Sequence, residues 1–284
     1  MQQGQTKSII IGATVVMLLG FGACVGTEIG NPQDGVESEV TVKLQGMERG
    51  ESQSLTLSNG IEIREAWLVV EEVRFRQGVF CDEKIQTDFQ EINVVDLISG
   101  AEYPGYEETR LDSGSYCRVE IMIGDVELEE LPAGAPEELA DLSILVRGTS
   151  PEGRDFEIRY DSSETIEFHG IFTLEPNLQA LMGVFFLDQW LTPEQLEDVN
   201  AEEEELFVIS DDEAPEILEE FVEAFLLSGI MARDENNDGV LQDSELEAAL
   251  ARSDGERIGG DGDSELDEDV DDADDEDDED DQED

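Results

Sequence analysis

The chain has 284 residues, of which 75 are Asp or Glu, 15 are Lys or Arg and one is His, for a formal charge of -60 at pH 7. A surface this acidic repels phosphate backbones and anionic lipid, which argues against nucleic acid as a partner and against membrane adhesion through the folded surface. One histidine and three cysteines likewise argue against a zinc site and against a Ser-His-Asp triad.

At the N-terminus, Lys7 precedes an apolar run from Ile9 to Ala23 that ends in small residues and Cys24. This is the layout of a secretory signal peptide over 1–23, and the run is short for a membrane-spanning helix. It resembles bacterial lipoprotein signals, in which the cysteine is lipidated and becomes the mature N-terminus, although Phe21 stands where leucine is preferred. The following Gly26-Thr-Glu-Ile-Gly-Asn-Pro32 resembles the GTETGNP-type segment seen after the lipid cysteine in lipoproteins of unknown function from myxobacteria and related groups. The resemblance implies a lipid anchor at Cys24, a linker over 24–35 and, with Val25 after the cysteine, an outer-membrane location in the cell envelope.

Residues 36–191 consist of short alternating segments separated by Gly, Pro, Asp and Ser, the pattern of an antiparallel β domain. Val40, Val42 and Leu44 alternate with polar residues, as do Ile166, Phe168, Gly170, Phe172 and Leu174. Within Ile61 to Phe75, the run Trp67-Leu-Val-Val70 loses alternation, which predicts a strand covered on both faces or a bulge. Further strands are predicted at Phe89 to Val95, Tyr116 to Ile123, Leu142 to Arg147, Phe156 to Tyr160 and Ala180 to Leu187. About eight strands in this length fit one β-sandwich. Assigning Cys24 to lipid leaves Cys81 and Cys117 as an even pair in an exported protein, and both fall in phase with buried-type neighbours, which predicts a disulfide.

Trp67, then Val95-Asp-Leu97, then Leu111-Asp-Ser-Gly-Ser-Tyr116 resemble, in that order, a β-sandwich domain of unknown function in secreted bacterial lipoproteins. That resemblance implies a fold and a surface location, not an activity. His169 falls on the polar side of its strand, and Trp67 and Trp190 read as core or strand-end residues. Carboxylate pairs for glycoside hydrolysis are numerous, but in this composition they carry no information.

A helical unit is expected over 192–254, opening with Thr192 as cap, Pro193 in the first turn and Gln195 completing a capping box. A helix is predicted from Pro215 to Arg233, with Ile217, Leu218, Phe221, Val222 and Phe225 at helical spacing, and another from Ser244. Between them, Asp234, Asn236, Asp238, the carbonyl of Val240, Gln242 and Glu245 occupy the six ligand positions of an EF-hand calcium loop. Gly239 stands at the sharp turn, and Leu241 at the apolar anchor. EF-hands normally work in pairs, and no second loop is present in the sequence. An isolated loop suits a structural ion of weak affinity.

From Asp261 to Asp284 the chain has 18 acidic residues and no basic one, so 255–284 reads as a disordered acidic tail. The acidic body, with only Lys7, Lys43 and Lys84 as lysines, reads as adaptation to a saline environment. The fold class is therefore α+β: an antiparallel β-sandwich, a small helical EF-hand unit and an acidic tail. The function expected is that of a non-enzymatic, lipid-anchored envelope protein with one structural Ca2+ and an unidentified protein or carbohydrate partner. The alternatives are an envelope carbohydrate-active hydrolase using paired carboxylates and an adhesion module.

Overall fold

The computed structural model describes residues 37–47, 56–78, 81, 85–89, 91–105, 109–198 and 206–254. The signal peptide, Cys24, the linker and the acidic tail lie outside the described residues.

The first half forms β1 (Glu37–Met47), β2 (Glu62–Gln77), β3 (Ile85–Phe89), β4 (Asn93–Asp96), β5 (Ala101–Tyr103), β6 (Thr109–Asp112) and β7 (Gly114–Ile123). Then come β8 (Ile144–Thr149), β9 (Asp155–Tyr160), β10 (Glu164–Leu174) and β11 (Gln179–Phe186). The C-terminal part adds α1 (Pro193–Asp198), β12 (Leu206–Ile209), α2 (Pro215–Leu227), β13 (Gly229–Arg233), α3 (Asp243–Glu247) and β14 (Ala251–Arg252). The β-rich character is as expected. The strands join one sheet, however, in the order β12-β9-β8-β2-β7-β10-β14-β13-β11-β1-β6, with β3 and β4 also on β2 and β5 on β4. The β1–β11 and β12–β9 pairs are parallel, so the sheet is not wholly antiparallel.

The sheet curls around one apolar core that collects Leu44, Phe75, Val119, Ile158, Phe168 and Phe185 from strands across its width. α2 turns Leu218, Phe221, Val222 and Phe225 into the same core, and Trp190 packs edge-on against the rings of Phe221 and Phe225. The Trp190 indole N–H donates to Ser228 Oγ at 2.9 Å, so its polar atom is satisfied.

The lost alternation in β2 has both of the causes named above. Trp67 and Val69 face a second apolar cluster, with Val94, Val126 and Leu139, on the other side of the sheet. A register shift between Val70 and Glu72 then moves the core positions from Ala66, Leu68 and Val70 to Val73 and Phe75.

Cys81 and Cys117 are bonded, with Cα atoms 5.6 Å apart and a sequence separation of 36, a closure that stabilises by roughly 4 kcal/mol in the chain-entropy model. Irregular pairing of β7 with both β2 and β10 at this level gives the core position to Tyr116, whose ring meets Phe75 and Phe172. Cys117 is buried outside that core, which corrects the phase inferred from alternation.

The segment read as a helical unit carries three strands of the sheet. The capping box holds: Thr192 N–H donates to Gln195 Oε1 at 2.7 Å, and Gln195 N–H donates to Thr192 Oγ1 at 3.3 Å. The helix expected to reach Arg233 ends at Leu227. From Gly229 the chain pairs with β11, because Ile230, Met231 and Ala232 are buried on both faces, which a strand inside a sheet permits and a one-sided surface helix does not.

Candidate metal centre

β13 delivers Asp234 directly from the sheet, with the Asp234 N–H still bonded to Ala180 O at 3.0 Å. The loop that follows is therefore entered from a strand and left through the five-residue α3, a strand–loop–helix instead of the expected helix–loop–helix. Leu241 packs with Met182, Val184 and Ile230 of the sheet and with Ala249, so the apolar anchor rests on the sheet face and not between two helices.

Inside the loop the chain coils around its own first residue. Asp234 Oδ1 accepts from the Asp238 N–H at 3.3 Å, and Oδ2 from the Gly239 N–H at 2.7 Å. Asn236 Oδ1 accepts from Asp238 N–H at 2.9 Å, and Asp238 Oδ1 from Val240 N–H at 2.9 Å. The coil needs left-handed backbone at Asn237 (φ +57°) and Gly239 (φ +80°), which Asn tolerates and Gly adopts freely. Gln242 caps α3. The Glu245 carboxylate closes the loop, accepting from Glu235 N–H at 2.8 Å through Oε1 and from Gln242 N–H at 2.7 Å through Oε2.

Asp234 is 4% exposed and Glu245 6%, and neither has an ion-pair partner among the described residues. Lys43 Nζ comes to 3.6 Å from where a β-carbon on Gly239 would stand, so one cation approaches the loop from β1. Among the described residues no three His, Cys, Asp or Glu side chains converge as a metal-holding group. The loop's remaining donors are of other kinds: an Asn, a Gln and a carbonyl.

The other candidates have structural partners. His169 Nε2 lies 3.2 Å from Glu167. The buried Glu157 is gripped by Arg147 and Arg159; burial pushes its carboxyl up, and the hydrogen bonds from these guanidinium groups more than reverse this, holding it below the usual carboxylate range. That is the opposite of what a general acid requires. Tyr160 is raised by burial and by its hydrogen bond to Glu164 at 2.8 Å. Trp67 lies against Tyr103, with ring centroids 6.2 Å apart.

No protein-family model matches the chain. Nor does any curated protein match it. Among solved structures it is similar to MbnP from Methylosinus trichosporium, at 11% identity and a TM-score of 0.32, over 53% of this chain and 78% of that one. A superposition that loose bears on neither fold nor function.

Proposed function

We propose that this chain is a calcium-binding, lipid-anchored protein of the cell envelope, in which one ion in the 234–245 loop acts structurally and the curled sheet is a binding or structural module. The observation that carries the reading is the burial of Asp234 and Glu245, at the first and last ligand positions, without a cationic partner among the described residues. An ionised carboxylate away from water is costly unless its charge is met. The backbone amides meet part of it, and each carboxylate oxygen keeps a further lone pair for a cation. With Asn236, Asp238, the Val240 carbonyl and Gln242, the donors are all oxygen. That favours a hard cation, and a twelve-residue loop with a Glu at its last position favours Ca2+ over Mg2+. The ion supplies charge neutralisation, and the chain itself supplies everything else that ties the end of β13 to α3. The envelope location and the anchor rest on the sequence at Cys24 and its surroundings.

Calorimetry on the intact chain tests the loop. One calcium site is expected, with affinity in the weak range of roughly 10⁻⁴ to 10⁻³ M for an isolated loop. Asp234→Asn and Glu245→Gln should each remove most of the binding heat. Unchanged binding in both variants sinks the assignment.

A further inference from the structure

The 234–245 loop folds over the outer face of the sheet, where Leu241 meets Met182 and Ile230. One row of that face crosses three strands: Lys43 of β1 stands opposite Met182 of β11, and Met182 opposite Ala232 of β13. Asp234 follows Ala232 by two residues, so the pleat turns it to the same side. Lys43 thus starts two strand spacings, about 10 Å, from the chain that enters the loop. Its long side chain covers much of that distance. The Lys43 Nζ comes to 3.6 Å from where a β-carbon on Gly239 would stand. Gly239 in turn donates its N–H to Asp234 Oδ2 at 2.7 Å, which puts the ammonium less than about 10 Å from that oxygen.

Nothing else holds this ammonium. Lys43 is exposed and has no ion pair among the described residues, nor have the buried Asp234 and Glu245. It is also the one lysine among the described residues, where most arginines are fixed to carboxylates. A guanidinium locks into a carboxylate through a planar fork, whereas an ammonium on a four-carbon stem is a point charge that can approach and withdraw. A divalent ion held by the loop oxygens meets this charge as a repulsion. At about 10 Å, one unit charge weakens the binding of a divalent ion about fourfold even at the dielectric of water, and by more at shorter range.

We infer, on the calcium reading of the loop, that Lys43 is a built-in competitor of the ion. It meets part of the charge of the loop when calcium is scarce, and it lowers the affinity of the loop so that calcium must displace it. The two cations share one set of carboxylates but reach it from different sides. Lys43 comes across the sheet face from β1, and the ion enters from solvent. The weakness of the site is then a property of a neighbouring strand as well as of a loop that stands alone.

Calorimetry with calcium on the intact chain tests this with three variants. At about 0.01 M salt, where the screening length is about 30 Å, Lys43→Gln should bind calcium about fourfold more tightly than the parent. At 1 M salt the gain should vanish, the screening length being about 3 Å. Lys43→Arg keeps the charge and should keep the weak affinity of the parent. Arg154→Gln removes the same charge from the turn between β8 and β9, strands that do not adjoin β13, and should also bind like the parent. In chelator, Lys43→Gln should unfold at a lower temperature than the parent, and saturating calcium should close that gap. Calcium heat that is alike in Lys43→Gln and the parent at low salt overturns the competition and leaves the calcium reading standing. Equal tightening in Arg154→Gln or in Lys43→Arg overturns it too, since the effect is then not that of a charge at Lys43. Absence of calcium heat from every form overturns the calcium reading, and the competition with it.

Discussion

A β-carbon on Gly170 would stand 2.0 Å from Leu250 O and 2.7 Å from the Cα of Ala251, both backbone atoms that no rotamer change can move. β10 can accept β14 beside it because this residue has no side chain. Gly170→Ala should therefore displace β14 and cost about 1–3 kcal/mol, the range for forced overpacking, read as a lower urea midpoint. A variant as stable as the parent would show that β14 is not held at this distance. Glu157 gives a second test, with a definite sign. Its carboxyl is held below the ordinary range by Arg147 and Arg159, so the pair stabilises above the unfolded carboxylate value and loses its effect as pH falls through the folded one. Glu157→Gln should cost about 2 kcal/mol at pH 7, the scale of hydrogen bonds to a charged group, and progressively less on acidification below about pH 4.3. A deficit independent of pH would mean that the glutamate contributes only packing.

At the scale of elements, the strand–loop–helix makes a mechanical link. Asp234 follows β13, Glu245 belongs to α3, and three residues after α3 the chain returns to the sheet, where Leu250 N–H donates to Met231 O at 2.7 Å and Ser253 N–H to Gly229 O at 2.9 Å. An ion joining Asp234 to Glu245 should hold this return in place. At calcium tenfold above the dissociation constant, stabilisation of about 1.4 kcal/mol should slow hydrogen exchange at Leu250 and Ser253 by about tenfold. If calcium binds but these amides are unaffected, the ion stabilises the loop alone. The coil around Asp234 was legible as a turn in the sequence because the residues that form it are contiguous in the chain. The long strands were legible too, since Val40 to Leu44 and Ile166 to Leu174 show alternation over enough residues to be counted. β13 was not, because an apolar run buried on both faces has no period to distinguish strand from helix, and Ser228-Gly229 was the only local sign of a break. The alignment of Arg76, Arg118, His169 and Arg252 across four neighbouring strands was hidden for another reason: it exists only through strand register, and no local pattern encodes register.

The whole molecule folds with one end of its charge scale overloaded, and this sets its response to salt. Among the described residues most of the arginines are spent on nearby carboxylates, as in Arg147 with Glu65 and Glu157, or Arg118 with Glu120 and Glu167. The remaining acid is left to repel itself across the surface. Screening shortens the range of that repulsion from about 10 Å at 0.1 M salt to about 3 Å at 1 M. The partly buried pairs are screened much less, so the balance shifts in favour of the compact state. The unfolding temperature should rise with KCl across this range, most steeply at the low end, where the screening length changes fastest. The Glu157→Gln variant should rise in parallel, because its lost pair is buried. Calcium should act in the opposite sense with salt: its affinity for the loop falls as the same field that attracts it is screened, so stabilisation by a fixed calcium concentration shrinks while stability as a whole grows. A melting temperature insensitive to KCl would mean that the surface acid is neutralised locally, pair by pair, and that the charge of -60 has little long-range effect on folding.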